Sequence, residues 1–98
     1  MAKAKTEVKM PKLTKDDKNV LKHHIGYGTD EIQELDTWAY GEDTAQDLEK
    51  KGLTHQLKRE KGRFYSFKKH AKHWMIDQRI AYLEMRIENL RQLRKRVR

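Results

Sequence analysis

Residues 48–67 of this 98-residue chain read LEKKGLTHQLKREKGRFYSF, a helix-like end followed by two short alternating segments. Gly52 fits the position just past a helix, after Lys50 and Lys51, which suit its negative C-terminal end. The connection REKG between the alternating segments is typical of a β-hairpin. The stretch therefore predicts a helix from Glu42 or Asp43 to Lys51, then a hairpin.

The register of this hairpin follows from the length of its loop. A two-residue loop at Lys61-Gly62 would pair Leu57 with Ser66. A three-residue loop of residues 60–62 pairs Leu57 with Tyr65 and gives Gly62 the left-handed position that such loops favour. We favour the second register, which also sets Arg59 opposite Arg63 and His55 opposite Phe67. It places four apolar residues on one face of the hairpin, Leu53, Leu57, Tyr65 and Phe67.

Upstream of this stretch the sequence predicts two further helices. TKDD, residues 14–17, is a capping box that starts a helix containing Val20, Leu21 and Ile25. Thr29 is expected to cap a second helix, DEIQEL, and Thr44 the third. We expect Trp38, Ala39 and Tyr40 to pack in or near the core, with stacking on a ligand as the less favoured alternative.

The C-terminal part, residues 69–98, contains no Pro or Gly and predicts one long amphipathic helix. Its apolar residues are spaced by four, three, four and three positions, the pattern of a coiled-coil seam. They are Ile76, Ile80, Leu83, Ile87 and Leu90. A helix of this length overreaches a small domain, so we predict that this seam forms a homodimer, with the groove of another protein as the alternative.

Composition limits what the chain can do. It is 36% hydrophobic and 39% charged, with a net charge of +8, which favours polyanionic partners. There is no cysteine, which excludes disulfides and cysteine-based zinc sites. No apolar run reaches membrane-spanning length and no signal peptide is recognisable. We expect an intracellular protein, cytoplasmic or associated with the nucleoid, without a membrane partner.

Charge is unevenly distributed along the chain. Residues 26–49 hold eight acidic residues and no Lys or Arg, whereas all 23 basic residues lie outside this block, with seven of the 15 acidic ones. Residues 1–13 include four of the lysines and are expected to be a disordered basic tail. The acidic block, residues 30–49, is a candidate surface for a protein partner.

The order helix, helix, helix, hairpin, long helix resembles the winged helix-turn-helix superfamily. LTKDDKNVLKHHIGYG is similar to its first helix, TDEIQEL and TAQDLEKKGL to its helix-turn-helix pair, and THQLKREKGRFYSF to its wing. The C-terminal helix resembles that of the PadR-like small regulators. The resemblance implies a mainly α fold with one β-hairpin (α+β), residues 14–68 forming the DNA-binding domain and residues 69–98 the dimerisation helix.

In that superfamily the third helix enters the major groove of DNA, but here it carries Glu42, Asp43 and Asp47, which phosphates would repel. The hairpin and the start of the long helix are better candidates for the contact. The predicted nucleic-acid-binding residues are Lys58, Arg59, Lys61, Arg63, Lys68, Lys69 and Lys72. Phe64 is expected to lie on the outer face, to pack there or to stack on a base.

These features predict a small dimeric DNA-binding protein, a transcriptional regulator, with double-stranded DNA favoured over RNA. The alternative is a structural or adaptor protein of a nucleoprotein assembly such as a ribosome or virion, or an inhibitor whose acidic helices mimic nucleic acid. No catalytic motif is visible, so we expect no enzyme and no cofactor. His70 and His73 have no evident third ligand, and no metal site is expected.

Overall fold

The computed structural model describes residues 10–26 and 30–97, and it has a mixed α and β fold. Its helices are α1 (Lys15–His23), α2 (Thr37–Tyr40), α3 (Glu42–Lys50) and α4 (Lys69–Arg96). Its strands are β1 (Leu35–Asp36), β2 (Thr54–Gln56) and β3 (Phe64–Phe67), which form one antiparallel sheet in the order β1-β3-β2. The predicted α+β class is confirmed.

Helix α1 begins with the capping box that the sequence predicted. The Thr14 hydroxyl accepts the N–H of Asp17 at 3.1 Å, and the Asp17 carboxylate accepts the N–H of Thr14 at 3.0 Å. The same carboxylate accepts a bond from Lys51 Nζ at 2.7 Å, which ties α1 to the end of α3. Burial by itself would raise the pKa of Asp17, but the bonds from Lys51 and Thr14 outweigh it and the pKa lies below its usual value.

The helix predicted over DEIQEL is wrong for its described residues. Ile32 forms an isolated bridge with Ile25, and Leu35 lies in β1 opposite Tyr65. A six-residue helix is marginal by itself, whereas strand pairing with β3 leaves Leu35 fully buried. Thr29, its predicted cap, lies outside the described residues.

The placement of Trp38 and Ala39 in or near the core is also wrong, whereas Tyr40 lies at the edge of the core, with its ring 4.7 Å from that of the buried His24. All three are exposed, and Trp38 keeps 78% of its surface accessible. They lie in α2, which has only four residues and no buried side chain. So short a helix cannot present a continuous apolar stripe, and Trp38 instead lies against Arg63 of the hairpin.

Helix α3 has nearly the predicted bounds but a different start. Its N-cap is Gly41, with a φ of +91°, and Thr44 lies inside the first turn rather than capping it. Ala45 and Leu48 are buried as expected. Gly52 follows the helix, as predicted, with a φ of +80°, the left-handed conformation typical of that position.

The hairpin exists, but its predicted register is wrong by one residue. Gln56 rather than Leu57 lies opposite Tyr65, and His55 lies opposite Ser66. A shift of one residue moves each side chain to the other face of the sheet, so Leu57 is half-buried and does not share the inner face with Tyr65.

The cause of this shift is the loop, which is longer than the predicted three residues. The N–H of Leu57 donates to the carbonyl of Phe64 at 2.9 Å, and the residues between them form the turn. A 3₁₀ turn covers Glu60–Gly62, in which Glu60 and Lys61 have positive φ as well as Gly62. Only the left-handed Gly62 was predicted.

The core lies between α1, α3, the sheet and the start of α4. Its buried apolar residues are Leu21, Ile25, Leu35, Ala45, Leu48, Leu53, Tyr65, Phe67, Ala71 and Met75. Met10 and Leu13 of the predicted tail pack against this core, whereas residues 1–9 lie outside the described part. Helix α4 contributes only its first two turns, and every described residue beyond Arg79 is exposed.

Candidate nucleic-acid interface

The hairpin holds four of the predicted nucleic-acid-binding residues, and the structure divides them into two pairs. Lys58 and Lys61 are exposed and make no ion pair with any described residue. Arg59 and Arg63 are each bound to a carboxylate of the acidic block. The two lysines, hereafter the tip lysines, are therefore the hairpin cations available to an anionic partner.

Arg63 is fixed by a bidentate bond to Asp36. Its Nε lies 2.8 Å from Oδ1 and its Nη2 lies 2.7 Å from Oδ2 of that carboxylate, a planar geometry that only arginine offers. The hydrogen bonds from Arg63 lower the pKa of Asp36, and the same bonds raise the pKa of Arg63. Asp36 also accepts the N–H of Trp38 at 3.0 Å, so the pair joins the residue before β3 to the end of β1 and the start of α2.

Aromatic rings and guanidinium groups alternate on this side of the hairpin. The Arg63 Cζ atom lies 3.5 Å from the Trp38 ring centroid and 4.8 Å from that of Phe64. Arg59, which pairs with Glu34, lies 5.0 Å from the other ring, Phe64. Phe64 is half-buried between the two arginines, so it packs within its own chain.

A shallow cavity of about 280 Å³ lies between this stack and the start of α3. Its lining contains two cations, Lys61 and Arg63, and two carboxylates, Glu42 and Glu60. The hairpin tip thus mixes charges of both signs. The sequence pattern did not indicate these negative charges, because Glu34, Asp36 and Glu42 are distant from the hairpin in the sequence and lie beside it only in the folded chain.

The remaining predicted cations, Lys68, Lys69 and Lys72, lie at the other end of β3. This strand separates them from the tip lysines by about 15 Å, at roughly 3.3 Å a residue. Lys68 donates its N–H to the carbonyl of Leu53 at 2.8 Å, which places the start of α4 beside the end of α3. The seven predicted residues therefore form two basic groups rather than one.

The start of α4 has no acidic residue in its first turn. Lys68 and Lys69 are exposed, Lys72 is half-buried, and none of the three forms an ion pair with a described residue. The first acidic residue along the helix is Asp77. This end of the hairpin is consequently more uniformly positive than the tip.

The outer face of α3 is acidic, as the sequence indicated. Glu42, Asp43, Asp47 and Glu49 are all exposed. Asp47 bonds to Lys51 at 3.0 Å, and Glu49 accepts the N–H of Gln56 at 3.2 Å. Glu42 and Asp43, in the first turn, stay available to a cationic partner and oppose the approach of phosphate.

The five predicted dimerisation residues all lie exposed on α4. Ile76, Ile80, Leu83, Ile87 and Leu90 keep between 38% and 56% of their surface accessible. Tyr82, Met85, Leu93 and Val97 are exposed as well. The free part of α4 is therefore rich in apolar surface that no described residue of the chain covers.

Within residues 10–26 and 30–97, no three His, Cys, Asp or Glu side chains come close enough to hold a metal ion. Over the same ranges, none of the helices has the length and apolar character needed to cross a membrane. Comparisons with protein-family models, with curated proteins and with solved structures find no match to this chain.

Proposed function

We propose that this protein is a small, dimeric winged-helix protein that binds double-stranded DNA and regulates transcription, acting inside the cell on the nucleoid. The observation that carries the proposal is the hairpin that follows helices α1, α2 and α3 and presents at its tip two lysines that form no ion pair with a described residue. Three helices, a hairpin and a long helix are the order of the winged-helix resemblance, with Thr37–Tyr40 as the second helix in place of the predicted DEIQEL.

The proposed contact uses lysines and leaves the two hairpin arginines a structural role. Lys58 and Lys61 at the tip, together with Lys68 and Lys69 at the other end of β3, neutralise phosphates. Arg59 and Arg63 already have carboxylate partners, so their contribution to DNA affinity is small. Helix α3 does not enter the groove in this proposal, because its carboxylates would face phosphates.

The test is the salt dependence of binding to a short DNA duplex, measured by fluorescence anisotropy. Each phosphate contact contributes about 0.9 to the slope of log K against log salt concentration. We expect the double variant Lys58→Ala/Lys61→Ala to lose about 2 from this slope. The variant Lys15→Ala/Lys18→Ala removes the same charge from exposed positions of α1 and serves as the matched control.

The outcomes separate a defined contact from general attraction to a polyanion. A decrease in the salt slope that occurs in Lys58→Ala/Lys61→Ala and not in the control variant supports the proposal. Equal losses in the two variants would show that net charge alone drives binding, and a wild-type protein that does not bind duplex DNA at low salt would overturn the function.

A second candidate is an adaptor protein of a nucleoprotein assembly, and the surface of α3 favours it. Four exposed carboxylates on one short helix suit a basic protein surface better than a nucleic acid. In this alternative the lysines bind RNA or DNA while α3 docks on a neighbouring subunit. Binding to single-stranded RNA as tightly as to duplex DNA would favour it over the regulator.

A further inference from the structure

The long helix α4 presents two different faces, and the described residues of the chain pack against only one of them. Ala71 and Met75 are buried against the domain, and Gln78, the next residue of that face, is half-buried. The seam, defined as Ile76, Ile80, Leu83, Ile87 and Leu90, is centred about 130° around the helix from that face, given 3.6 residues per turn. The seam therefore points away from its own domain.

Charged residues flank this seam in a self-complementary order. Glu84 follows the seam residue Leu83, and Arg91 occupies the same flank one heptad later, after Leu90. When two such helices run in opposite directions, this flank of one copy lies beside the same flank of the other. Glu84 of each copy then lies beside Arg91 of the other, and both pairs attract.

A parallel pair would place like charges together. Arg94 continues the spacing of the seam and would meet its own copy inside the interface. Arg86 would lie beside Arg91 of the second copy. These contacts are costly because two like charges close together disfavour association, more so where water is excluded.

The one favourable flank contact that a parallel pair offers to Glu84 is already taken. It would come from Arg79, whose Nε instead binds Asp30 Oδ1 at 2.8 Å in its own chain. The Arg79 side chain keeps only 15% of its surface accessible and also lies 5.7 Å from the Tyr82 ring centroid. Arg79 is therefore bound within its own domain and does not pair with Glu84 of a parallel second copy.

We infer that two copies of this chain associate through the seam with their α4 helices antiparallel. The register places Ile87 against Leu90 and Ile80 against Val97 of the second copy, and Arg94 against Leu83 rather than against itself. This inference rests on the homodimer of the proposed function. It sets the two domains at opposite ends of the helix pair, with the Met75 positions about 40 Å apart at roughly 1.5 Å per residue.

Cysteine cross-linking tests the orientation cleanly, because the chain contains no cysteine. The single variants Ile80→Cys and Val97→Cys change exposed side chains and leave the domain core intact. After a short bismaleimide reagent is added, we expect neither variant alone to form covalent dimers. A mixture of the two, re-equilibrated before the reaction, gives covalent heterodimers, because residues 80 and 97 meet only across an antiparallel pair.

A charge exchange gives an independent measurement. We expect Glu84→Arg and Arg91→Glu each to weaken dimerisation several-fold, measured by sedimentation equilibrium, and the double variant to restore it. A parallel pair predicts no such rescue, because residues 84 and 91 are not partners there.

The outcomes distinguish this inference from the function on which it rests. Self-cross-linking of Ile80→Cys would overturn the antiparallel orientation and leave the dimer in place. A sedimenting dimer that shows neither the mixed cross-link nor the charge rescue would place the interface elsewhere and overturn the register. A monomer at tens of micromolar would overturn the homodimer itself, whereas DNA binding is judged separately by the salt slope.

Discussion

The guanidinium carbon of Arg63 lies 3.5 Å from the ring centroid of Trp38, although Trp38 is 78% exposed. The arginine is also bound to Asp36, and its carbonyl accepts the N–H of Thr37 at 3.0 Å. Arg63, at the end of the hairpin loop, therefore contacts the strand β1, the start of α2 and an exposed aromatic ring. This explains why Arg63 is unavailable as a free cation.

We expect Arg63→Lys to destabilise the protein although it keeps the charge. Lysine cannot form the bidentate bond to Asp36 and does not stack flat on the Trp38 ring. The melting temperature, followed by circular dichroism, should fall. The tryptophan fluorescence should change, because a guanidinium group no longer stacks on the Trp38 ring. Lys61→Arg, an equally conservative change at an unpaired position of the same loop, should leave both measurements unaltered. Equal behaviour of the two variants would contradict the structural role of Arg63.

His24 makes stability depend on pH. It is buried against the rings of Tyr40 and Phe67, at centroid distances of 4.7 and 5.1 Å, and its Nδ1 bonds to the carbonyl of Val20 at 2.6 Å. Burial lowers the pKa of His24, with a smaller contribution from the neighbouring charge of His23, and this outweighs the bond to Val20. The folded protein therefore binds this proton less readily than the unfolded chain does.

The sign of the effect follows from this difference. Above the pKa of His24 in the unfolded chain, about 6.5, the free energy of unfolding is at its full value. It decreases as the pH falls below about 6.5, and stops decreasing once the pH is below the lower pKa of His24 in the folded protein. Urea unfolding at pH 7.5 and pH 5.5 should show a loss at the lower pH. The loss should shrink in His24→Gln and persist in His55→Gln, since His55 is exposed. An unchanged pH dependence in His24→Gln would assign the effect to another group.

The capping box of α1 offers a third test. Thr14→Ala removes the acceptor for the N–H of Asp17 and should cost about 1 kcal/mol of unfolding free energy, measured with urea. Thr37→Ala is the matched control, because Asp36 rather than Thr37 caps its helix. A cost in Thr14→Ala no larger than in Thr37→Ala would show that the cap contributes little.

Local chemistry was predictable from the sequence, and contacts between distant segments were not. The Thr14 cap, the position of Gly52 past the end of α3 and the long uninterrupted helix each depend on neighbouring residues, and all three were predicted correctly. The strand at Leu35 was missed because it forms by pairing with β3, thirty residues away along the chain. Its apolar spacing fitted a helix equally well.

The candidate interface shows the same division. The basic character of the hairpin is visible in the sequence, but its partial neutralisation depends on Glu34 and Asp36, which lie far from the hairpin along the chain. The register was misjudged because a longer loop with three positive φ angles is not evident from one glycine. Sequence patterns therefore located the charged segment, and only the fold identified Lys58 and Lys61 as the hairpin cations that pair with none of the residues 10–26 and 30–97.

The dimer prediction concerns the seam of α4. We expect Ile80→Asp and Leu83→Asp each to abolish dimerisation, because either change buries a carboxylate in an apolar interface without a partner. Both side chains are exposed within the single chain, at 48% and 38%, so the domain should fold normally and keep its circular dichroism spectrum. Asn89→Asp adds the same charge outside the seam and should leave the dimer intact in sedimentation velocity.

Dimers that persist in both seam variants would place the interface elsewhere. Loss of the dimer in Asn89→Asp as well would attribute the effect to net charge rather than to the apolar contact.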